Sequence, residues 1–145
     1  MRRVGSVAMI CGLVFGLAGC GDPDQQMRTE GAKAARDAVS QVRTARLAGQ
    51  SLLDQKIITP TTTVLVTDAE EALGKVATSF SARQPETAES RKIYDQTTEA
   101  LSTAEEGVTD LRIALRSGDL AKVRSQVDEL GKTGDQLAKL GEQAK

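Results

Sequence analysis

Four segments of the chain place small or apolar residues alternately three and four positions apart, and this spacing restricts the fold more than any other feature. The first such segment runs from Ala35 to Leu52 and consists mainly of small residues. In an α-helix, residues with this spacing lie on one side and form a heptad seam on which another helix packs. The sequence therefore predicts amphipathic helices that pack along extended seams.

The four seams have similar lengths but different side-chain sizes. Four helices of this kind with short connections predict an all-α fold, an antiparallel up-down-up-down four-helix bundle with coiled-coil-like seams, in residues 23–145. The seam residues are Ala35, Ala38, Val42, Ala45, Gly49 and Leu52; Val66, Ala69, Leu73, Val76 and Phe80; Leu101, Ala104, Val108, Leu111 and Leu115; and Leu120, Val123, Val127, Leu130, Gly134 and Leu137.

Signals for helix ends divide these segments. Asp22-Pro23 is typical of a helix start, with Asp as N-cap and Pro in the first turn. Gln84-Pro85-Glu86 breaks the pattern, and Ser117-Gly118-Asp119 combines a helix-ending Gly with the next N-cap. We expect the second helix to run over residues 60–83. The alternative is a start at Thr67-x-x-Glu70, with residues 61–66 extended.

The last predicted helix contains three glycines. Gly131, Gly134 and Gly141 each weaken a helix by about 1 kcal/mol relative to Ala. We therefore expect the helix to fray near the C-terminus.

Composition argues against most kinds of catalysis. The chain has no His, no Trp and only two Cys, so the commonest general base and the commonest metal ligand are missing. No Gly-rich phosphate loop, EF-hand or Cys-x-x-Cys-His motif occurs. The formal charge of −1 lacks the basic excess of a nucleic-acid binder. We expect a protein that is not an enzyme, holds no cofactor or metal and binds no nucleic acid.

Two stripes of charge stand out on the predicted helices. The acidic stripe is Asp95, Glu99, Glu106 and Asp110, and the basic stripe is Lys33, Arg36, Arg43 and Arg46. Four acids on one side of a helix are a candidate site for a hard cation such as Ca²⁺, or for a partner. The simpler interpretation is a solvated face, or pairing of the acids with basic neighbours, and charge runs on amphipathic helices favour it.

Two aromatic residues flank the break at Pro85. Phe80 and Tyr94 lie on the helices on either side of it, where they are able to touch. We expect them to close the core at this end of the bundle, because aromatic residues at helical spacing usually belong to a core. The alternative is contact with a small ligand or a membrane.

The first twenty residues have the layout of a secretory signal. Arg2 and Arg3 precede an uncharged apolar run from Val4 to Ala18, which is too short and glycine-rich to be a permanent membrane span. The run ends in Leu17-Ala18-Gly19-Cys20. This string is similar to the lipobox of bacterial lipoproteins.

The resemblance implies cleavage between Gly19 and Cys20, with diacylglycerol on the sulfur of Cys20. Residues 1–19 are then the signal peptide and residues 20–22 the lipidated Cys and a short tether. Cys11 is lost with the signal peptide, and the mature chain carries 17 basic and 20 acidic residues, a net charge of −3. Several acyl chains give firm anchoring, since each buried CH₂ contributes about 0.8 kcal/mol.

These features together predict a non-enzymatic helical bundle of the cell envelope, anchored by lipid on the extracytoplasmic face of a membrane. We expect its partner to be another envelope protein or a second copy of itself. The alternative is a tethered domain that binds or senses a small ligand or a cation.

Overall fold

The computed structural model describes residues 22–143 and shows four α-helices there, without strands. They are α1 (Pro23–Leu53), α2 (Thr59–Ser81), α3 (Ala88–Ser117) and α4 (Leu120–Glu142). Short connections join them, so successive helices run in opposite directions. At 1.5 Å per residue, α1 is about 45 Å long. We call the end where α1 begins the N-terminal end and the end with residues 54–58 and 118–119 the distal end.

The helices form a closed ring with one close diagonal. Each packs on its neighbour in the chain, and α4 packs on α1 through the most extensive interface of the bundle. Across the ring α1 also contacts α3, whereas the backbones of α2 and α4 stay farther apart within the described part of the chain. The predicted up-down-up-down four-helix bundle is confirmed.

The predicted seams form the core. Most seam residues are buried, and the largest fully buried side chains come from α2, α3 and α4. Leu52 and Val76 are only half-buried. Leu120 departs from the prediction, because 56% of it is exposed. It is the first residue of α4 and lies at the distal edge, beyond the side chains that cover the rest of its seam.

Small residues explain why α1 contacts all three other helices. Eleven of its residues are buried, eight of them Ala or Gly. A Cβ on Gly49 would lie 2.7 Å from Val127 of α4 and 3.4 Å from Leu111 of α3. One on Gly31 would lie 2.9 Å from the Thr97 hydroxyl of α3. The backbone of α1 therefore approaches α3 and α4 more closely than any side chain at these positions allows.

The helix ends follow the predicted signals closely. Asp22 accepts a hydrogen bond from the Asp24 amide at 3.0 Å, directly before Pro23. Gly118 ends α3 with φ 69°, a left-handed conformation that favours glycine. Asp119 then caps α4 by accepting from the amides of Ala121 and Lys122.

The second helix takes the earlier of the two predicted starts. It begins at Thr59, and residues 61–66 are helical. Thr59 is not its cap, because Ile58 occupies that position and makes no side-chain bond to the helix. Pro60 supports the start, since its missing amide hydrogen costs nothing in a first turn. The helix ends at Ser81, two residues before the predicted end.

The glycines of α4 do not end the helix before Glu142. They lie against α1, where Gly134 meets Val42, Gly131 meets the Arg46 side chain and Gly141 meets Arg36. Arg36 also donates a hydrogen bond to the Gly141 carbonyl at 2.7 Å. These contacts with α1 support the last turns of α4, and fraying there stays a prediction.

Candidate functional site

The predicted lipidation residue Cys20 and the cleavage position Gly19–Cys20 lie outside the described residues. The helix that follows them begins at Pro23, three positions after Cys20 in the sequence. The predicted boundary between tether and bundle thus coincides with the start of α1.

Three side-chain contacts fasten the beginning of α1 to the rest of the bundle. Thr87, in the connection before α3, donates its hydroxyl hydrogen to Asp24. Arg28 pairs with Glu89 of α3 at 3.5 Å, and Glu30 pairs with Arg83 beyond α2 at 3.1 Å. Because α3 and the α2–α3 connection hold its first turns, α1 is part of the folded body from its first residues.

The aromatic pair closes the core near the same end. The Phe80 and Tyr94 rings stack with centroids 5.4 Å apart and planes inclined by 21°. Phe80 is buried, and the half-buried Tyr94 donates its hydroxyl hydrogen to the Ser81 carbonyl at 3.1 Å. The predicted contact across α2 and α3 is confirmed, and the Tyr94 hydroxyl is hydrogen-bonded to the last residue of α2.

The acidic stripe lies on the outer side of α3. All four carboxylates are exposed, and none forms an ion pair within residues 22–143. In that part of the chain no three His, Cys, Asp or Glu side chains stand close enough together to hold a metal ion. The acidic stripe is thus a solvated face of α3 in the described part of the chain, in agreement with the simpler of the two interpretations.

The basic stripe does not pair with the acidic one inside the molecule. Its four residues are exposed on the side of α1 that faces away from α3. Arg36 and Arg46 lean toward α4, where they meet Gly141 and Gly131. Since α1 and α3 face each other across the ring through buried residues, the two stripes lie on opposite sides of the bundle.

A half-buried ion pair between α2 and α3 was not predicted. Glu70 accepts from Arg112 at 2.5 and 3.2 Å and from the Thr109 hydroxyl at 2.7 Å. Burial by itself raises the pKa of Glu70, but the bonds from Arg112 and Thr109 outweigh it, so the pKa lies below the usual value. Both charged residues directly follow a seam residue, the flanking position that carries interhelical ion pairs in coiled coils, and this signal was available in the sequence.

Glu105 has the opposite environment in the neighbouring groove of α2 and α3. Its carboxylate faces Gly74, and partial burial raises its pKa. The Thr98 hydroxyl oxygen in the same groove is buried and has no hydrogen-bond partner among residues 22–143. The groove has a volume of about 300 Å³ and opens to solvent, as do the other surface grooves, whose volumes range from about 220 to 380 Å³.

Exposed apolar side chains concentrate in the distal half. Every exposed large hydrophobic residue of the described chain lies there, within about two helical turns of the distal connections. They surround that end rather than forming one groove. They are Leu47, Ile58, Val64, Leu65, Ile113 and Leu120.

Comparison with known proteins gives no relative: no family model matches the chain, and no match was found among curated proteins or solved structures. In residues 22–143, no helix combines the length and apolar character required to cross a bilayer.

Proposed function

We propose that this chain is a lipid-anchored, non-enzymatic helical bundle of the bacterial cell envelope, acting as a structural or protein-interaction lipoprotein. Its anchor is the acylated Cys20, on the extracytoplasmic face of a membrane, which is the periplasmic face in a Gram-negative cell. The observation that carries the proposal is the string Leu17-Ala18-Gly19-Cys20, followed after two residues by a folded helix.

The short distance from anchor to helix supports a defined orientation. Three residues from Cys20 to Pro23 span at most about 10 Å when extended. Because Thr87, Arg83 and Glu89 hold the first turns of α1, the N-terminal end of the bundle stays beside the lipid headgroups. The distal end then stands about 45 Å away, with the exposed apolar side chains available to a protein partner.

The residues of the bundle support a role other than catalysis. The chain has no His, and its grooves in the described region open to solvent rather than enclosing a site. The acidic stripe is exposed along its whole length. Such surfaces suit association with another protein.

The test of anchoring is the mass and location of the natural protein. We expect mature protein from bacterial membranes to begin at Cys20, to exceed the polypeptide mass by acyl groups and to incorporate labelled palmitate. The Cys20→Ala variant is expected to lose the label and to be secreted or left unprocessed.

Cys11→Ala is the matched control, since Cys11 lies in the part to be removed and its loss should change neither label nor location. An unmodified mass for the wild-type protein, or wild-type protein free in the medium, would show the proposal to be wrong.

Thermal melting separates the proposal from a cation-binding role for the acidic stripe. A cation that binds only the native state raises the melting temperature. We expect millimolar Ca²⁺ to leave the melting temperature of the wild-type protein unchanged, as it should for a variant with Glu99 and Glu106 replaced by Gln. A Ca²⁺-dependent rise in the wild type alone would favour the cation-binding role.

A further inference from the structure

The two charged stripes match each other level by level. Internal contacts between α1 and α3 join residues 61 to 66 positions apart, such as Asp24 with Thr87 and Gly49 with Leu111. Residues at one height on these parallel helices therefore differ by about 63 in number. The acidic residues follow the basic residues of the same rank by 62, 63, 63 and 64 positions. Along the bundle axis, the height of each acid thus differs from that of one base by no more than about one residue's rise, 1.5 Å.

The acidic stripe and the distal half of the basic stripe contain no residue of opposite charge, whereas Asp37 lies between Arg36 and Arg43. Between Lys92 and Arg112 the only charged residues of α3 are acids, and between Asp37 and Asp54 the only charged residues of α1 are Arg43 and Arg46. No member of either stripe forms an ion pair within residues 22–143. The outer side of α3 is therefore negative along its stripe, and the distal half of the basic stripe on α1 is positive; the bases are spaced 3, 7 and 3 positions apart and the acids 4, 7 and 4.

We propose that the occupant of each stripe is a second copy of this chain. The basic stripe of α1 in one copy faces the acidic stripe of α3 in the next, with the two bundles side by side and parallel. The faces are complementary rather than identical, so a pair of copies leaves one basic and one acidic stripe unused, and the contact continues into a row.

Two features select the parallel arrangement, because the charge spacing alone also fits antiparallel copies. Leu47, 67% exposed, lies beside the distal end of the basic stripe, and Ile113, 53% exposed, lies beside the distal end of the acidic stripe. Only parallel copies bring these two apolar side chains together. The second feature is the common orientation of copies anchored in one membrane, which rests on the proposed function. Anchoring also raises the effective concentration at which copies meet.

Cysteine cross-linking of the full-length protein in its native membranes tests the proposal. After signal removal and acylation the chain has no free thiol, so introduced cysteines report alone. The variant with both Leu47→Cys and Ile113→Cys should give a ladder of disulfide-linked dimers, trimers and longer chains under mild oxidation. Each single variant should give none, since the two residues lie on opposite sides of one bundle. The pair Leu47→Cys with Val64→Cys, equally exposed, is the matched control and should stay monomeric.

Charge reversal gives a second readout that a loss of folding does not imitate. Arg43→Glu or Glu106→Lys, in the double-cysteine background, should each lower the cross-linked fraction about fivefold. Both reversals in one chain should restore the ladder, because the pair then forms with exchanged signs. Salt near 1 M should reduce the wild-type ladder, since the screening length falls to about 3 Å.

The outcomes separate this proposal from the anchoring proposal. Membrane-bound, acylated protein without a ladder would overturn self-association and leave the anchor standing. Soluble, unacylated protein would overturn the anchor, and a ladder that persists in it after Cys20→Ala removes the remaining free thiol would support the contact. A ladder from Leu47→Cys with Asp95→Cys but none with Ile113→Cys would show antiparallel copies and overturn the arrangement.

Discussion

Replacing Gly49 with alanine tests whether small residues set the distance between α1 and its neighbours. The new Cβ would lie 2.7 Å from Val127 Cγ2 and 3.4 Å from Leu111 Cδ2. Both neighbours are almost completely buried, and the β-branched Val127 has little freedom to rotate away. The backbone of α1 must therefore move outward from α3 and α4.

The magnitude follows from two opposing effects. Overpacking a close-packed core costs about 2–3 kcal/mol when rigid neighbours surround the added methyl group. Alanine in a helix interior recovers about 1 kcal/mol relative to glycine. We expect a net loss of about 1–2 kcal/mol in the free energy of unfolding.

Gly134→Ala is the matched control on the facing helix. Its Cβ would lie 3.6 Å from Val42 Cγ1, an ordinary van der Waals distance. The gain in helix propensity is then unopposed, and the variant should be about 1 kcal/mol more stable than wild type. The same chemical change should therefore have opposite signs at the two positions.

Urea unfolding followed by far-ultraviolet circular dichroism measures both variants against the wild type. We expect the midpoint to fall for Gly49→Ala and to rise for Gly134→Ala, with unchanged slopes. A Gly49→Ala variant as stable as the wild type, or urea midpoints that shift in the same direction for both variants, would contradict close packing at Gly49.

Three further predictions concern single side chains. Gly118→Ala should cost about 1–2 kcal/mol from its left-handed backbone alone, since no atom lies within 4 Å of the new Cβ, and a drop in melting temperature measures it. Glu70→Gln should be less stable than wild type at pH 7, and the difference should vanish as the pH falls through the lowered folded-state pKa of Glu70, below 4.5. Glu105→Gln should show the opposite sign, because the wild type gains stability relative to this variant as the pH falls. Urea unfolding at several pH values tests both. Phe80→Ala should cost about 3–4 kcal/mol by removing a buried ring, and an unchanged urea midpoint would contradict its place in the core.

Spacing along the sequence was sufficient to predict the helices and their order, because burial of a repeating apolar side is what holds such a bundle together. It did not place the end of the packed region. Leu120 has the correct spacing for the fourth seam, yet it is exposed because no side chain of another helix reaches past the first turn of α4. A repeat defines which side is buried but not how far its neighbours extend.

The diagonal contact of α1 with α3 depends on side-chain size in three dimensions. Glycines at positions 31 and 49 let these helices approach, and helical spacing alone does not show that Thr97 and Leu111 lie opposite them. Their register comes from packing of the whole bundle. The same register determines that the two charged stripes stand at equal heights on opposite sides.

Candidate functional residues also fall into two groups, those with a local signal in the sequence and those that only the packed structure brings together. The stripe residues and the aromatic pair were found because each signal lies within one or two helices. Glu70 and Arg112 each stand at a flanking position that the sequence shows, but only the packed α2–α3 interface shows that these two residues, 42 positions apart, pair with each other. Prediction of Cys20 depended on a local string and required no fold.

The extensive contact between the first and last helices makes completion of the chain a condition of folding. Val42 and Gly49 of α1 find their cover on Gly134 and Val127, which are about 80 to 90 residues later. A nascent polypeptide that stops before residue 120 lacks α4, so the small residues of α1 that pack on α4 stay uncovered. Cooperative collapse then waits for the last 23-residue helix, so truncated products should be cleared by proteases rather than accumulate as smaller bundles.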